Sequence, residues 1–181
     1  FTGQFIEDEL HKEGIQTQFV NVDGITRINV FTQVVSTSEE FKLVNQGPSV
    51  SQLQEEALLK IIENMNMEDF LFVSGSHPEG ITYTTYEKIA KAAQLRRFKL
   101  ILDTSADFVP DLLKYRPYLI KPNDEELAEW FGLINPSLEE IKDCGQKLLE
   151  KGAENVLVSL GEKGAILFTP TETIHVTAPK G

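Results

Sequence analysis

Polar side chains are concentrated in residues 121–126, which read Lys-Pro-Asn-Asp-Glu-Glu. Asn123 and Glu126 have the spacing of a helix N-cap and its reciprocal carboxylate, so a purely structural capping box is one interpretation. The other is chemical, because the start of a helix offers backbone N–H groups to a phosphate. Lys121 would add a positive charge, and Glu126 would hold Mg²⁺ directly or through water. The two interpretations are compatible.

A second cluster, residues 159–164, reads Ser-Leu-Gly-Glu-Lys-Gly. Its glycines either form a tight connection into the next strand or let the backbone approach a nucleotide closely. Under the second interpretation Ser159 supplies a hydroxyl, and Gly161 and Gly164 supply the close backbone. A glycine-rich turn alone does not decide between them.

A third cluster, residues 74–80, reads Ser-Gly-Ser-His-Pro-Glu-Gly and is either a simple turn or a loop with room for a ligand. The Ser76 hydroxyl is suited to a phosphate oxygen. His77 is interpreted as a loop residue, and a chemical role for it stays open.

Arg27, within the sequence Thr-Arg-Ile-Asn-Val at 26–30, is either a solvated surface group or a phosphate ligand. A guanidinium can bind phosphate in a bidentate manner, but spacing does not decide between the two. The sequence contains no GxxxxGK[ST] loop, no GxGxxG after a strand, no HExxH and no GxSxG. The commonest nucleotide-binding and hydrolytic motifs are therefore excluded.

The elements that position these clusters alternate between short, continuously apolar runs and amphipathic stretches. This pattern predicts a parallel sheet covered by helices on both faces. The predicted parallel strands are 70–73, 99–102, 118–120 and 155–158, and the predicted helices are 51–65, 83–97, 109–115, 124–131 and 137–151. Ligands bind beyond the carboxyl ends of such strands. The clusters 74–80, 103–105, 121–126 and 159–164 are therefore expected to line one rim.

Before residue 47 the pattern differs. Residues 3–13 show helical spacing, whereas 17–22, 27–35 and 40–44 are rich in β-branched and aromatic residues and are separated by turns at 23–24 and 36–38. We expect these three segments to form an antiparallel ribbon that stands apart from the main sheet. Two closing strands are predicted at 165–168 and 173–176.

Composition narrows the function classes. The net charge of −11 argues against a nucleic-acid partner, whose phosphates require a basic surface. No apolar run approaches the roughly 18 residues of a membrane span. Cys144 is the only cysteine, which excludes a disulfide framework and favours a small packed side chain in a cytoplasmic protein.

Taken together, the motifs resemble those of the ribokinase-like (PfkB) sugar kinases. Gly-Ser at 75–76 with Pro78, Asp-Thr-Ser at 103–105, Lys-Pro-Asn-x-x-Glu-Leu at 121–127 and Ser-Leu-Gly-x-x-Gly-Ala at 159–165 occur in that family's order. The similarity extends over essentially the whole chain, including the opening helix at 1–6. Residues 26–30 and 45–48 resemble the branch of 1-phosphofructokinases and tagatose-6-phosphate kinases. Within that branch, the Asn-Val continuation at 29–30 and the closing residues 178–181 look more like 1-phosphofructokinase.

This resemblance implies a three-layer α/β/α fold with a mostly parallel sheet, built from residues 1–16 and 48–181, and a small β-sheet lid at 17–47. It implies ATP-dependent phosphorylation of a sugar phosphate, most simply fructose 1-phosphate to fructose 1,6-bisphosphate, with Mg²⁺, and pairing of lids in a homodimer. The implied sugar-phosphate ligands are Arg27 and Ser76. The implied ATP and Mg²⁺ ligands are Lys121, Asn123, Glu126, Ser159, Gly161 and Gly164, with Glu126 nearest the metal.

The chain also departs from the family pattern. The family's N-terminal substrate-binding Asp with its Gly-Gly element is absent, and so is the Gly-Ala-Gly-Asp motif that carries the catalytic base. We expect both outside the 181 residues, so the chain is interpreted as an internal fragment without a catalytic residue, inactive alone. His77 replaces a commonly apolar residue, and Ala106 a common Gly. The alternatives are tagatose-6-phosphate kinase or another sugar kinase, a catalytically silent sugar-phosphate-binding module, and a plain structural domain.

Overall fold

A computed structural model describes residues 2–37 and 39–179 of the protein. Phe1 of the predicted opening helix, Ser38 of the predicted turn at 36–38, and the last two residues of the motif at 178–181 lie outside the described residues. The chain divides into two compact units. The first unit comprises Phe1–Ile61 with Pro78–Thr82, and the second comprises Ile62–His77 with Tyr83–Gly181.

Helices and strands occur where the sequence patterns place most of them. The helices are α1 (Thr2–Lys12), α2 (Gln52–Ile62), α3 (Tyr83–Arg96), α4 (Asp124–Phe131) and α5 (Leu138–Glu150), with short 3₁₀ helices at Val109–Tyr115 and Gly161–Lys163. The strands are β1 (Val30–Val34), β2 (Glu39–Leu43), β3 (Phe70–Ser74), β4 (Lys99–Asp103), β5 (Leu119–Ile120), β6 (Val156–Ser159), β7 (Ala165–Phe168) and β8 (Thr173–Val176).

In the first unit, β1 and β2 form a separate antiparallel pair in which Val30 lies opposite Leu43. The predicted ribbon is confirmed for these two segments. The predicted strand at 17–22 is wrong, because no described strand pairs with it. The side-chain amide of Gln54 donates instead to the Asn21 carbonyl at 2.8 Å. High β-propensity without a neighbouring strand does not produce a strand.

In the second unit, six strands form one sheet in the order β3-β4-β5-β6-β7-β8. The first four are parallel neighbours, as predicted, and β7 and β8 continue the sheet antiparallel. Strand β4 is continuously apolar at its centre, and Leu100, Ile101 and Leu102 are all buried. Burial of successive side chains means that both faces of this strand are covered.

Helix α5 shows how an amphipathic sequence attaches to this sheet. Its buried residues, Ile141, Cys144, Gly145 and Leu148, recur at the spacing of one helical face, and the helix packs against β6 and β7. Cys144 is a small packed side chain, as predicted, and desolvation raises the pKa of its thiol. The first turn is closed by a capping box between Ser137 and Glu140.

The predicted division into a lid at 17–47 and a core made of the other residues stays a prediction. The two compact units of the chain do not separate at these positions. Helix α1 contacts the segment that follows it in the first unit, where the Thr26 N–H donates to the Thr2 hydroxyl at 3.2 Å. Among the described residues, no helix combines the length and apolar character needed to cross a bilayer.

A partly exposed network of hydrogen bonds and ion pairs joins α3 to the 3₁₀ helix Val109–Tyr115. The Glu87 carboxylate accepts hydrogen bonds from the Tyr115 hydroxyl at 2.7 Å and the Tyr83 hydroxyl at 3.1 Å. It also pairs with Lys91 at 3.0 Å and Lys114 at 3.3 Å. The hydrogen bond from Tyr115, followed by that from Lys91, lowers the pKa of Glu87 to about 2. These donors favour the ionised carboxylate.

We expect Leu148→Ala to destabilise the protein by about 2–5 kcal/mol, because Leu148 is fully buried and its truncation leaves a cavity. Leu95→Ala is the matched control, since Leu95 lies in a helix but is 82% exposed, and should change stability by less than about 0.5 kcal/mol. Urea unfolding of the three proteins measures the difference. Equal effects of the two substitutions would contradict the assigned core.

The Glu87 network predicts an acid-sensitive contribution to stability. Because the pKa of Glu87 is lowered to about 2 from an ordinary value of 4.5, its contribution is complete above about pH 4.5 and is lost as the pH falls toward 2. Glu87→Gln should therefore destabilise the protein at pH 6, and its difference from wild type should shrink at pH 3. Unfolding at both pH values tests this.

Glu129→Gln controls for the loss of one negative charge, because Glu129 forms no ion pair within the described part of the chain. A Glu87→Gln difference that is the same at pH 6 and pH 3 would show that the carboxylate charge does not matter.

Candidate functional site

The carboxyl ends of β3, β4 and β5 lie side by side and are joined by backbone hydrogen bonds. The Gly75 N–H donates to the Asp103 carbonyl at 2.9 Å, and the Lys121 N–H donates to the Leu102 carbonyl at 2.9 Å. These bonds extend the parallel ladders just beyond the strand ends. The first residues of three predicted polar clusters are therefore neighbours.

The fourth cluster joins the same edge through β6. The Ser159 N–H donates to the Pro122 carbonyl at 3.1 Å, and Asn123 and Ser159 form an isolated parallel bridge. Asn123 and Ser159 are both half-buried. We call the edge formed by residues 74–77, 103–105, 121–126 and 159–164 the rim.

Lys121 forms an ion pair across the rim. Its Nζ lies 2.9 Å from Oδ1 of Asp103, and the two side chains are 39% and 40% exposed. An exposed pair of this kind contributes at most about 1 kcal/mol. The ammonium can therefore be drawn to a stronger anion at little cost. The sequence placed Asp103 on the rim but gave no signal for this pairing, which depends on the register of β4 and β5.

The capping box at the start of α4 is present. Oδ1 of Asn123 accepts the Glu126 N–H at 2.7 Å, and Oε2 of Glu126 accepts the Asn123 N–H at 2.9 Å. The structural interpretation is therefore correct. It leaves Oε1 of Glu126 and the amide NH₂ of Asn123 unused by the box, so both residues retain groups for a ligand.

The two glycines of residues 159–164 differ in how much space surrounds them. A Cβ at Gly164, whose φ is +95°, would lie 1.9 Å from the Val176 carbonyl oxygen, so packing against β8 demands glycine there. Gly161 has a φ of +57°, but a Cβ would meet nothing within 4 Å. Its surroundings are open, which fits close approach by a ligand.

Two predicted sugar-phosphate ligands have free polar groups. The Ser76 hydroxyl is exposed and makes no hydrogen bond within the described residues. Arg27 lies in the first unit, is exposed, and makes no ion pair with any described residue. The structure thus brings Ser76, Lys121, Asn123 and the residues of 159–164 to the rim of the second unit, whereas Arg27 belongs to the other unit.

The described residues do not provide a complete set of protein ligands for a metal ion. Within residues 2–37 and 39–179, no group of three or more His, Cys, Asp or Glu side chains is arranged to hold a metal ion. Mg²⁺ commonly binds through one or two carboxylates together with substrate phosphates and water. The half-buried Glu126 carboxylate, which accepts the Asn123 N–H through Oε2 only, fits that mode.

Comparisons with known proteins agree with the fold and with the family resemblance. Residues 1–181 match the family described as pfkB family carbohydrate kinase. The chain is 45% identical over 182 residues to a D-tagatose-1-phosphate kinase from Bacillus licheniformis. It is 38% identical over 181 residues to a 1-phosphofructokinase from Bacillus subtilis. Both matches cover 100% of this chain and 59% of the relative, so the chain spans about three-fifths of their length.

Solved structures share the architecture. A candidate phosphofructokinase from Staphylococcus aureus is 36% identical, with a TM-score of 0.82 over 99% of this chain and 57% of that one. Phosphofructokinase-2 from Escherichia coli in complex with substrates and products is 24% identical, with a TM-score of 0.89 over 98% of this chain and 58% of that one. The fold is ribokinase-like, and the chain belongs to the pfkB family of carbohydrate kinases.

Proposed function

We propose that the whole protein transfers the γ-phosphoryl group of ATP to fructose 1-phosphate, giving fructose 1,6-bisphosphate. The observation that carries this proposal is the convergence of Lys121, Asn123 with Glu126, and Ser159 on one rim of a carbohydrate-kinase fold. A cation, a helix start and an open glycine turn at one place are suited to a nucleotide polyphosphate.

Lys121 and Asn123 would contact the ATP phosphates. The triphosphate carries more charge than the single carboxylate of Asp103, so it would attract the Lys121 ammonium away from that weak pair. The Asn123 amide NH₂ would donate to a phosphate oxygen, since the N-cap uses only the Oδ1 atom. Phosphoryl transfer depends largely on such positioning and charge stabilisation.

The charge of the rim supports a role for Mg²⁺. The rim carries two ammonium groups, Lys121 and Lys163, against five carboxylates, so a bare triphosphate would meet net repulsion. The carboxylates are Asp103, Asp124, Glu125, Glu126 and Glu162. Mg²⁺ would supply the neutralising charge. Glu126 would hold it directly or through water, because its Oε1 atom is not committed to the capping box.

The adenosine side of the nucleotide would lie against Ser159 and Gly161. The Ser159 hydroxyl would donate to the nucleotide, and the open surroundings of Gly161 would let it approach the backbone. Gly164 would contribute to nucleotide binding indirectly, by fixing the conformation of the turn. Its lack of a side chain allows the close approach of β8.

The sugar phosphate would be bound by Arg27 and Ser76. Both are exposed, and neither has a side-chain partner within the described part of the chain. A guanidinium binds phosphate through two parallel hydrogen bonds, and a hydroxyl adds a third.

D-Tagatose 1-phosphate is the second candidate substrate. It differs from fructose 1-phosphate in the configuration of one ring carbon, and the relative named D-tagatose-1-phosphate kinase is 45% identical to this chain. Tagatose 6-phosphate, considered from the sequence, stays a hypothesis, as does a catalytically silent sugar-phosphate-binding module.

We also propose a cytoplasmic homodimer that pairs through the β1–β2 ribbon. Both strands of the ribbon are exposed along most of their length, including Phe31 at 66% and Phe41 at 58%. A two-stranded sheet is marginal alone and gains stability from a packed face. One structural neighbour is described as a tetrameric inhibited form of phosphofructokinase-2 from Escherichia coli.

The substrate can be tested with the whole protein in an assay coupled to ADP release. We expect the highest kcat/KM with fructose 1-phosphate among fructose 1-phosphate, D-tagatose 1-phosphate and tagatose 6-phosphate. The 181-residue chain should show only background turnover, because its sequence lacks the Gly-Ala-Gly-Asp motif. A preference for D-tagatose 1-phosphate would reassign the substrate, and a folded whole protein without turnover would favour the silent module.

Glu126→Gln in the whole protein separates the two roles of this residue. Glutamine is accepted at the third position of a capping box, so the melting temperature should hardly change. If Glu126 organises Mg²⁺, kcat should fall roughly tenfold or more, about 1.4 kcal/mol in the barrier, and added Mg²⁺ should restore part of it. The measurement is kcat as a function of Mg²⁺ concentration.

Glu125→Gln is the matched control, because it removes the same charge from the adjacent, exposed position of the same helical turn. It should leave kcat within about twofold of wild type, less than 0.5 kcal/mol in the barrier. Wild-type kinetics for a folded Glu126→Gln protein would leave Glu126 with the capping role alone.

A further inference from the structure

The loop after β3 holds Ser76 between two fixed points. On one side, the Gly75 N–H donates to the Asp103 carbonyl at 2.9 Å and ties the backbone to β4. On the other side, the His77 ring packs against two aromatic rings. Its centroid lies 5.8 Å from that of Phe108 and 6.1 Å from that of Tyr86.

The surface that receives His77 is a connected group of rings. Phe108 lies 5.0 Å from Tyr86 and 5.7 Å from Tyr83, both in edge-on arrangements that aromatic pairs prefer. Tyr86 is only 4% exposed and is set in the buried face of α3. We call Tyr83, Tyr86 and Phe108 the aromatic platform.

Hydrogen bonds connect the aromatic platform to the 3₁₀ helix Val109–Tyr115. Tyr83 donates its hydroxyl to Glu87, whose carboxylate also accepts a hydrogen bond from Tyr115 in the 3₁₀ helix. Lys114 of the same 3₁₀ helix donates to the Tyr83 hydroxyl at 3.0 Å. Helix α3, which carries Tyr83 and Tyr86, is therefore joined to the 3₁₀ helix that follows Phe108, and these contacts support the platform.

Ser76 itself has no such support. It is exposed, follows a glycine, and makes no side-chain hydrogen bond within the described residues. A loop residue that becomes ordered only when a ligand binds costs conformational entropy at that moment, which weakens affinity. Prior anchoring of the adjacent His77 removes part of this cost.

We propose that His77 is a positioning residue for Ser76. Its ring, packed on Phe108 and Tyr86, fixes the loop so that the Ser76 hydroxyl is already placed for the sugar phosphate. This role rests on the proposed function, because it requires Ser76 to bind that substrate. It depends on the ring faces of His77, so an aromatic hydrocarbon ring should replace the imidazole.

The kinetic test uses His77→Ala, His77→Phe, Ser76→Ala and the double variant Ser76→Ala/His77→Ala in the whole protein. His77→Ala should raise the KM for fructose 1-phosphate roughly five- to tenfold. A change of this size corresponds to the entropic cost of ordering the backbone of one residue. The KM for ATP should be unchanged. His77→Phe should stay within twofold of wild type. In the Ser76→Ala background, His77→Ala should have little further effect, because its influence passes through Ser76.

A second measurement does not depend on the substrate. The ¹⁵N order parameter of the Ser76 amide should fall in His77→Ala and be retained in His77→Phe. An unchanged order parameter in His77→Ala would overturn the positioning role whatever the substrate is.

The remaining outcomes separate this role from the proposed function. If Ser76→Ala raises KM but His77→Ala does not, His77 has no positioning role and the proposed function stands. If His77→Phe is as impaired as His77→Ala, the imidazole nitrogens act directly and the proposal is overturned. If Ser76→Ala leaves KM unchanged while the order parameter still falls in His77→Ala, the assignment of Ser76 to the substrate is wrong.

Discussion

Parallel pairing of β3, β4, β5 and β6 is the constraint on which the site depends. Residues as far apart in sequence as Asn123 and Ser159 lie side by side because each strand ends at the same edge of the sheet. The backbone bonds beyond the strand ends, from Gly75 to Asp103 and from Ser159 to Pro122, continue that register into the loops. The polar groups of the rim are thus positioned by a backbone ladder at the carboxyl ends of the strands, where ligands bind in sheets of this kind.

The continuously apolar runs made this sheet predictable, because strands covered on both faces are rich in apolar residues, as β4 is at its centre. The capping boxes were equally local signals, visible as Asn123 with Glu126 and Ser137 with Glu140. The ion pair of Lys121 with Asp103 was not predictable, since it joins residues 18 positions apart through the register of two strands. The predicted strand at 17–22 was wrong for a related reason. Its local β-propensity is strong, but no described strand pairs with it.

Structural and functional interpretations of one motif need not exclude each other. Asn123 and Glu126 complete the capping box and still retain an amide NH₂ and a carboxylate oxygen. Gly161 and Gly164 look equivalent in sequence, yet close approach of β8 explains the second and leaves the first open. The two glycines are distinguished by the atoms that a Cβ would meet at each position. Those neighbours depend on tertiary packing and cannot be read from the spacing of the glycines in the sequence.

The two sides of the rim are stabilised in different ways. At residues 121–126 and 159–164, strand ends and a helix cap fix the backbone through hydrogen bonds. On the side of Ser76, the backbone bond from Gly75 is supplemented by ring packing of His77 on the aromatic platform. The Glu87 network beneath that platform uses an ionised carboxylate to join α3 to the 3₁₀ helix. The Glu87 network is thus connected to His77 through the Tyr83 hydroxyl and the ring contacts of Phe108 with Tyr83 and His77.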